Sequence, residues 1–320
     1  MQKETIAARF PKIIDLINNK LLEETLTAQD YLNAAAEDLI LGGGKRLRPL
    51  LTVLSSRLLP AEKRVKSGDE IINIACAVEL LHTATLVHDD IIDEAKLRRG
   101  RPATQERFGS KFAVFTGDFL LSIAMKQFTK YISRISLLRL NNIVRQICIG
   151  EINQFSNSYS KEINLVDYIR HIRRKTALLF SYSTYVGARE NGLRGTVLSH
   201  VYNFGLEMGM AFQIRDDILD YTGNSEEIGK ETGNDLNSGI YTLPVINLLQ
   251  EAPQKTGQLL QKENTVEIMK MIKKYNILDK CRELEEKFLN RAEAHLQNLP
   301  RTKNRENLKF LLSRQLARKK

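Results

Sequence analysis

Tryptophan is absent from this chain of 320 residues, and proline (7) and glycine (18) are scarce for its length. So few breakers over long stretches exclude a turn-rich sandwich or barrel and favour helices. Cysteine is nearly missing too: Cys76, Cys148 and Cys281 stand far apart with no CxxC pair, which excludes a disulfide-stapled fold. The apolar neighbours of Cys76 and Cys148 predict buried, reduced thiols. The five histidines form no HxxxH or Cys/His cluster, so no zinc site is expected. No run reaches the roughly 18 uninterrupted apolar residues of a spanning helix. The nearest, 71–87, is broken by Asn73, Glu79 and His82. The N-terminus carries Lys3, Glu4, Arg9 and Lys12 with no apolar core of a secretory signal. These absences predict a cytoplasmic protein.

What is present is ample core material, 42% hydrophobic residues against 27% charged. The net charge of +10 and pI near 9.4 call for an anionic partner. Nucleic acid, anionic lipid and phosphorylated small molecules all meet that description, and charge alone does not choose among them. Apolar residues recur at helical period over 5–18, 29–41, 50–59, 70–93, 111–131, 137–155, 166–185, 196–220 and 243–249. Gly42–Gly44 stops one helix, and Gly100 and Pro102 mark a break at 98–102. The glycine-rich stretch 222–239 reads as a functional loop. No linker divides the chain, so one all-α domain over residues 1–320 is expected.

One internal echo stands out. TLVHDDIID at 85–93 is repeated by FQIRDDILD at 212–220. Positions four apart on a helix lie about 40° apart around the axis and about 6 Å along it. Asp89 and Asp93 therefore share a face, as do Asp216 and Asp220. Like charges at this spacing repel, and they oppose the dipole at a helix C-terminus. Two such motifs in apolar surroundings point to hard-cation sites, with Mg2+ favoured over Ca2+ because few oxygens come from each helix. Basic residues accompany both motifs: Lys45, Arg46 and Arg48 in GGGKRLRP, Arg98 and Arg99 after the first, Arg173, Arg174 and Lys175 before the second, and Lys230 after it. Carboxylate-bound Mg2+ ringed by Arg and Lys is the setting of a diphosphate site. The spacing of a P-loop is missing.

The chain resembles the trans-polyprenyl diphosphate synthases, which lengthen allylic diphosphates with isopentenyl diphosphate. The resemblance runs in order through GGGKRLRP, LLHTATLVHDDIIDEAKLRRGRPAT, GDFLLS, GEINQ, RRKTALLF, GMAFQIRDDILDYTG and GKETGNDLNSGIYTLP. It implies an all-α bundle with a deep central cavity, usually a homodimer, and three Mg2+ per active site. Asp89 and Asp93 are then metal ligands with Asp90 supporting the turn, and Asp216 takes a further ion with Asp217 and Asp220 beside it. Arg98, Lys175 and Lys230 would grip the allylic diphosphate, such as geranyl or farnesyl diphosphate. Lys45, Arg48, His82 and Arg99 would bind isopentenyl diphosphate, and Thr176 and Gln213 would line the place where the carbocation forms. His88 is read as structural.

In such enzymes the growing chain runs beneath the first motif. Ala84 and Thr85 are small, so the floor is expected deeper, at Leu81 or on the following helices. A hexaprenyl to octaprenyl product is expected, with geranylgeranyl diphosphate the alternative if Phe115 or Phe119 closes the tunnel early. Ile240 stands where many relatives carry a basic residue. Arg314 matches a basic tail near the isopentenyl site, and the final Arg-Lys-Lys run is a solvated tail or a peripheral contact for anionic lipid. A class I terpene cyclase is disfavoured by the intact second DDxxD. A regulatory subunit of a heteromeric synthase is disfavoured by retention of both motifs, although a small partner subunit stays open. A nucleic-acid binder has no need of buried aspartate pairs.

Overall fold

The computed structural model describes residues 4–222 and 233–316. Lys230 and the terminal Arg-Lys-Lys run lie outside the described residues, as does most of the 222–239 loop. Helices dominate, and the one sheet among the described residues is a two-stranded ribbon pairing Leu97 with Pro102 and Arg98 with Arg101. The chain divides into two compact units. Stretches up to Leu138, Ser183–Val201 and Leu299–Leu311 form the first; Arg139–Tyr182, Tyr202–Asn298 and the residues from Leu312 form the second. Neither unit is a continuous segment, so no single cut in the sequence separates them.

The first unit is built around the helix Gly68–Ile92, which ends in the first aspartate motif. Ser67 caps its N-terminus and Glu70 bonds back in a capping box, satisfying two amides that a helix start leaves open. Every residue from Ile71 to Leu81 is buried, including Asn73 and Glu79. This helix packs most extensively on Ser110–Tyr131, then on Leu47–Ser56 and Pro11–Thr25. It is long and apolar enough to cross a membrane by length and composition, and 67% of that window is buried inside the protein. An all-round apolar helix is what a core demands. Gly117, of the GDFLLS stretch, lies so close to the His88 ring that a Cβ there would overlap it.

In the second unit, the helix Gly195–Thr222 carries the second aspartate motif near its end. Gly209 lets it approach the backbone of Ala177, whose Cα would sit 2.6 Å from an added Cβ. One turn on, Phe212 packs its ring 5.1 Å from that of Phe180.

The structure corrects several expectations. The helix expected over 5–18 breaks at Phe10, because Pro11 opens a new helix, Pro11–Thr25, where its missing N–H costs nothing. The helix expected over 166–185 is not uniform: a π turn, Arg173–Ala177, separates Leu165–Ile172 from Leu178–Glu190. Cys148 is exposed, on the same helix as exposed Ile152 and Phe155, whereas Cys76 and Cys281 are buried. Burial pushes the Cys281 thiol up to about 12.

Candidate active site

The glycine-rich segment and the start of the ribbon form one cleft in the first unit. About 550 Å³ of space, open to solvent, is lined by Gly42, Arg46, Glu79, His82, Arg98 and Arg99 among others. Two non-glycine residues here sit in the left-handed region, Arg46 at φ 49° and Arg99 at φ 52°. Such backbone costs of order 1–3 kcal/mol and persists where surrounding contacts over-determine it. For Arg99 the cause is the ribbon turn: Arg99 and Gly100, at φ 52° and 75°, are both left-handed, as a two-residue hairpin of this twist requires. For Arg46 the cause is a buried anchor. Its guanidinium is bonded to Glu79 Oε1 at 3.0 Å, to Asn18 Oδ1 at 2.9 Å and to the carbonyl of Ile40. Arg46 and Glu79 are both buried, so the pair fastens GGGKRLRP to the first aspartate helix. Gly44, at φ 141°, leaves room for the Arg99 guanidinium, 3.0 Å from where its Cβ would stand.

The expected isopentenyl set is only partly gathered in this cleft. His82 and Arg99 line it; Lys45 is exposed and Arg48 half-buried, and neither is a lining residue. Arg98, expected on the allylic side, lines the same cleft and pairs with Asp90 at 2.6 Å. His82 is held well below the ordinary histidine range by burial, reinforced by Arg48, Arg98, Arg99 and Arg46. It is therefore neutral at pH 7.

Around the first motif, Asp90 is buried, while Asp89 is half-buried and Asp93 exposed. The Asp90 carbonyl accepts from Ala95 N at 2.9 Å and from Gln105 Nε2 at 2.8 Å, closing the turn into the ribbon. Asp90 thus serves the turn and Arg98. Thr85 donates to the His82 carbonyl at 2.8 Å, and Ala84 and Leu81 are buried. Phe115 is 70% exposed and does not fill the interior of its unit; Phe119 is half-buried.

The second unit holds a different arrangement. Lys175, on the π turn, donates to Glu151 Oε2 at 3.0 Å and Gln154 Oε1 at 3.1 Å, both from the GEINQ stretch. Next to it, Thr176 donates to Gln213 Oε1 at 2.6 Å. Gln213 Nε2 donates to Asp217 Oδ1 at 2.8 Å, and the Tyr168 hydroxyl donates to Asp217 Oδ2 at 2.6 Å. Burial, with Asp235 adding to it, pushes the Asp217 carboxyl up to about 8. Asp216 and Asp220, one residue before Asp217 and three after it on the same helix, are half-buried. Arg215 is fixed by Glu285 Oε1 at 2.7 Å. His171 is pushed down to about 4, by burial first and then by Lys175. π turns are rare and concentrate at functional sites, and this one carries Lys175 and Thr176, the two of its residues given a role in the site from sequence.

Among the described residues, no three His, Cys, Asp or Glu side chains gather into a group able to hold a metal alone. That donor set fits a hard cation taking one or two carboxylates and completing its shell from phosphate oxygens and water, the habit of Mg2+. It does not fit an all-protein cage. Sequence reasoning missed Glu79, Glu151 and Tyr168. Glu79 had a visible signal, an acid interrupting the apolar run 71–87; Tyr168 had none.

The sequence profile of the polyprenyl synthetase family matches residues 29–278, more than three quarters of the chain. Heptaprenyl diphosphate synthase component 2 of Bacillus subtilis (strain 168) is 36% identical over 304 residues, covering 92% of this chain and 85% of that protein. The crystal structure of heptaprenyl diphosphate synthase from Staphylococcus aureus matches with a TM-score of 0.92 at 29% identity, over 97% of this chain and 98% of that one. That of a polyprenyl synthase from Caulobacter crescentus CB15, complexed with calcium and isoprenyl diphosphate, matches with a TM-score of 0.90 at 30% identity, over all of both chains. The chain belongs to the polyprenyl synthetase family, trans-prenyltransferases that build polyprenyl diphosphates from prenyl diphosphates.

Proposed function

We propose that the chain extends an allylic diphosphate with isopentenyl diphosphate in a Mg2+-dependent condensation, releasing a medium to long trans-polyprenyl diphosphate in the hexaprenyl to octaprenyl range. The observation that carries this is the repeated DDxxD, each copy beside its own set of cations. Asp89 and Asp93 would hold Mg2+ in the first unit, as Asp216 and Asp220 would in the second; the metal supplies charge neutralisation of the departing diphosphate. Asp90 and Asp217, bonded to Arg98 and to Tyr168 and Gln213, support those ligands from behind. Lys45, Arg48, Arg99 and neutral His82 bind isopentenyl diphosphate; Arg98, Lys175 and Lys230 bind the allylic one.

The allylic carbon–oxygen bond breaks, the isopentenyl double bond attacks the resulting cation, and the lost proton goes to the departing diphosphate. Fixed cations aimed at developing charge do most of the catalytic work. Apolar surroundings keep water from the cation. Thr176 and Gln213 face it with oxygen lone pairs. The growing chain passes Thr85, Ala84 and Leu81. Two named relatives make heptaprenyl diphosphate, which supports the length assigned here. The B. subtilis relative is named as one component of its enzyme, which supports a partner subunit for this chain; a homodimer and a cytoplasmic location are part of the same proposal.

The test is incubation with farnesyl diphosphate, isopentenyl diphosphate and Mg2+, followed by chromatography of the dephosphorylated products. A ladder ending at hexaprenol to octaprenol, abolished by chelator, is expected. A product stopping at geranylgeraniol overturns the length, a cyclic hydrocarbon overturns the reaction, and condensation only on adding a second component assigns this chain to a heteromer.

A further inference from the structure

Three hydrogen bonds in the second unit run in series through three buried residues and the half-buried Gln213. Tyr168 (2% exposed) donates to Asp217 (4% exposed), which also accepts from Gln213, whose carbonyl accepts from Thr176 (6% exposed). The series has a polarity. Asp217 accepts from both neighbours, from Tyr168 on Oδ2 and from Gln213 on Oδ1. Gln213 must then turn its NH2 toward Asp217 and its carbonyl toward Thr176, and the Thr176 hydrogen is committed to that carbonyl. The Thr176 oxygen is left with its lone pairs for whatever lies beyond it. Without this constraint, a glutamine amide has two nearly isosteric orientations.

We propose that Tyr168 is a positioning residue for the condensation: through Asp217 it fixes the amide of Gln213, and through Gln213 the direction of the Thr176 hydroxyl. The proposal rests on the reading that Thr176 and Gln213 face the allylic cation. An electron-rich oxygen turned toward the cation stabilises it, and the reversed amide would present N–H hydrogens instead. Tyr168 lies in none of the motifs that mark the site, 49 residues from Asp217, on the helix that precedes the π turn.

The test is Tyr168→Phe in the full chain, which removes one oxygen and keeps the ring. The expected result is a kcat for farnesyl plus isopentenyl diphosphate lower by about tenfold to a hundredfold, the usual cost of losing such an outer partner. Michaelis constants for both substrates, the Mg2+ requirement and the melting temperature should stay near wild type. The melting-temperature rise given by Mg2+ with inorganic pyrophosphate should also persist, since that reads binding without turnover. Asp217→Asn should lower kcat similarly, because an amide with one oxygen cannot accept from both Tyr168 and Gln213. The double variant should be no worse than Asp217→Asn alone, the non-additivity of groups acting in series. Wild-type kcat in Tyr168→Phe, multiplicative losses in the double variant, or a loss recovered by excess Mg2+ each overturns the proposal. If Tyr168→Phe fails to fold, Asp217→Asn decides: full kcat there overturns it. Absence of any condensation by the wild-type chain, alone or with a second component, would instead strike the functional reading.

Discussion

Asp90 and Asp217 hold the same place in the two copies of DDxxD, yet their surroundings differ in kind. Asp90 meets a full positive charge, the Arg98 guanidinium at 2.6 Å, in a cleft also lined by Arg46 and Arg99. Asp217 meets two neutral donors, Tyr168 and Gln213, in a place buried enough to push its carboxyl up to about 8. The first surroundings suit binding, because fixed cations attract diphosphate whether or not a bond is breaking. The second suit orientation, since neutral hydrogen bonds add direction with little net field. One motif, used twice, is thus supported by charge in one unit and by geometry in the other.

Removing the outer carboxylates should have the largest effect. Asp89→Ala or Asp216→Ala should lower condensation by orders of magnitude while circular dichroism stays helical, and without Mg2+ the melting temperature should hold or rise as like charges separate. Near-wild-type turnover in Asp89→Ala would remove the metal assignment.

The cation side can be broken next. Arg46→Met should destabilise the fold by about 3–5 kcal/mol, the cost of stranding a buried partner, here Glu79. Arg46→Met with Glu79→Leu should recover most of that in a denaturant melt, while leaving GGGKRLRP unfastened and the Michaelis constant for isopentenyl diphosphate raised. Equal instability in the single and double variants would show that the pair is not the anchor.

Smaller still is Lys45→Ala or Arg99→Ala. Each should raise the isopentenyl Michaelis constant by roughly one to two decades, because a charge-assisted contact is worth about 1.5–3 kcal/mol. An effect confined to the allylic substrate would reverse the assignment of the two diphosphates.

The smallest effect is on stability against pH. His171, pushed down to about 4, and His82, held below its usual range, are both neutral in the folded chain. A histidine whose folded pKa is depressed stabilises fully above its unfolded value near 6.5 and loses that contribution as pH falls toward the folded value. The melting temperature should therefore drop between about pH 6.5 and 4, and His171→Gln should flatten the drop. A flat wild-type profile would contradict the burial of both rings.

Much of this was legible in the chain itself. The helices follow from apolar period, and the aspartate faces follow from four-residue spacing, both local rules. The π turn at Arg173–Ala177 was not legible, because apolar period carries no mark of a locally widened turn. Arg46 with Glu79 and Tyr168 with Asp217 join residues 33 and 49 apart, so no motif contains both partners. Cys148 was misjudged since apolar neighbours in sequence are not neighbours on a helix face.

The most direct test of the difference between the two halves is steady-state kinetics of Asp90→Asn beside Asp217→Asn, with both diphosphates and Mg2+ varied. Asp90→Asn, which frees Arg98, should raise a diphosphate Michaelis constant and largely keep kcat. Asp217→Asn should lower kcat and leave the Michaelis constants alone. If both variants shift the same parameter by the same factor, the two aspartates are supported alike and the account is wrong.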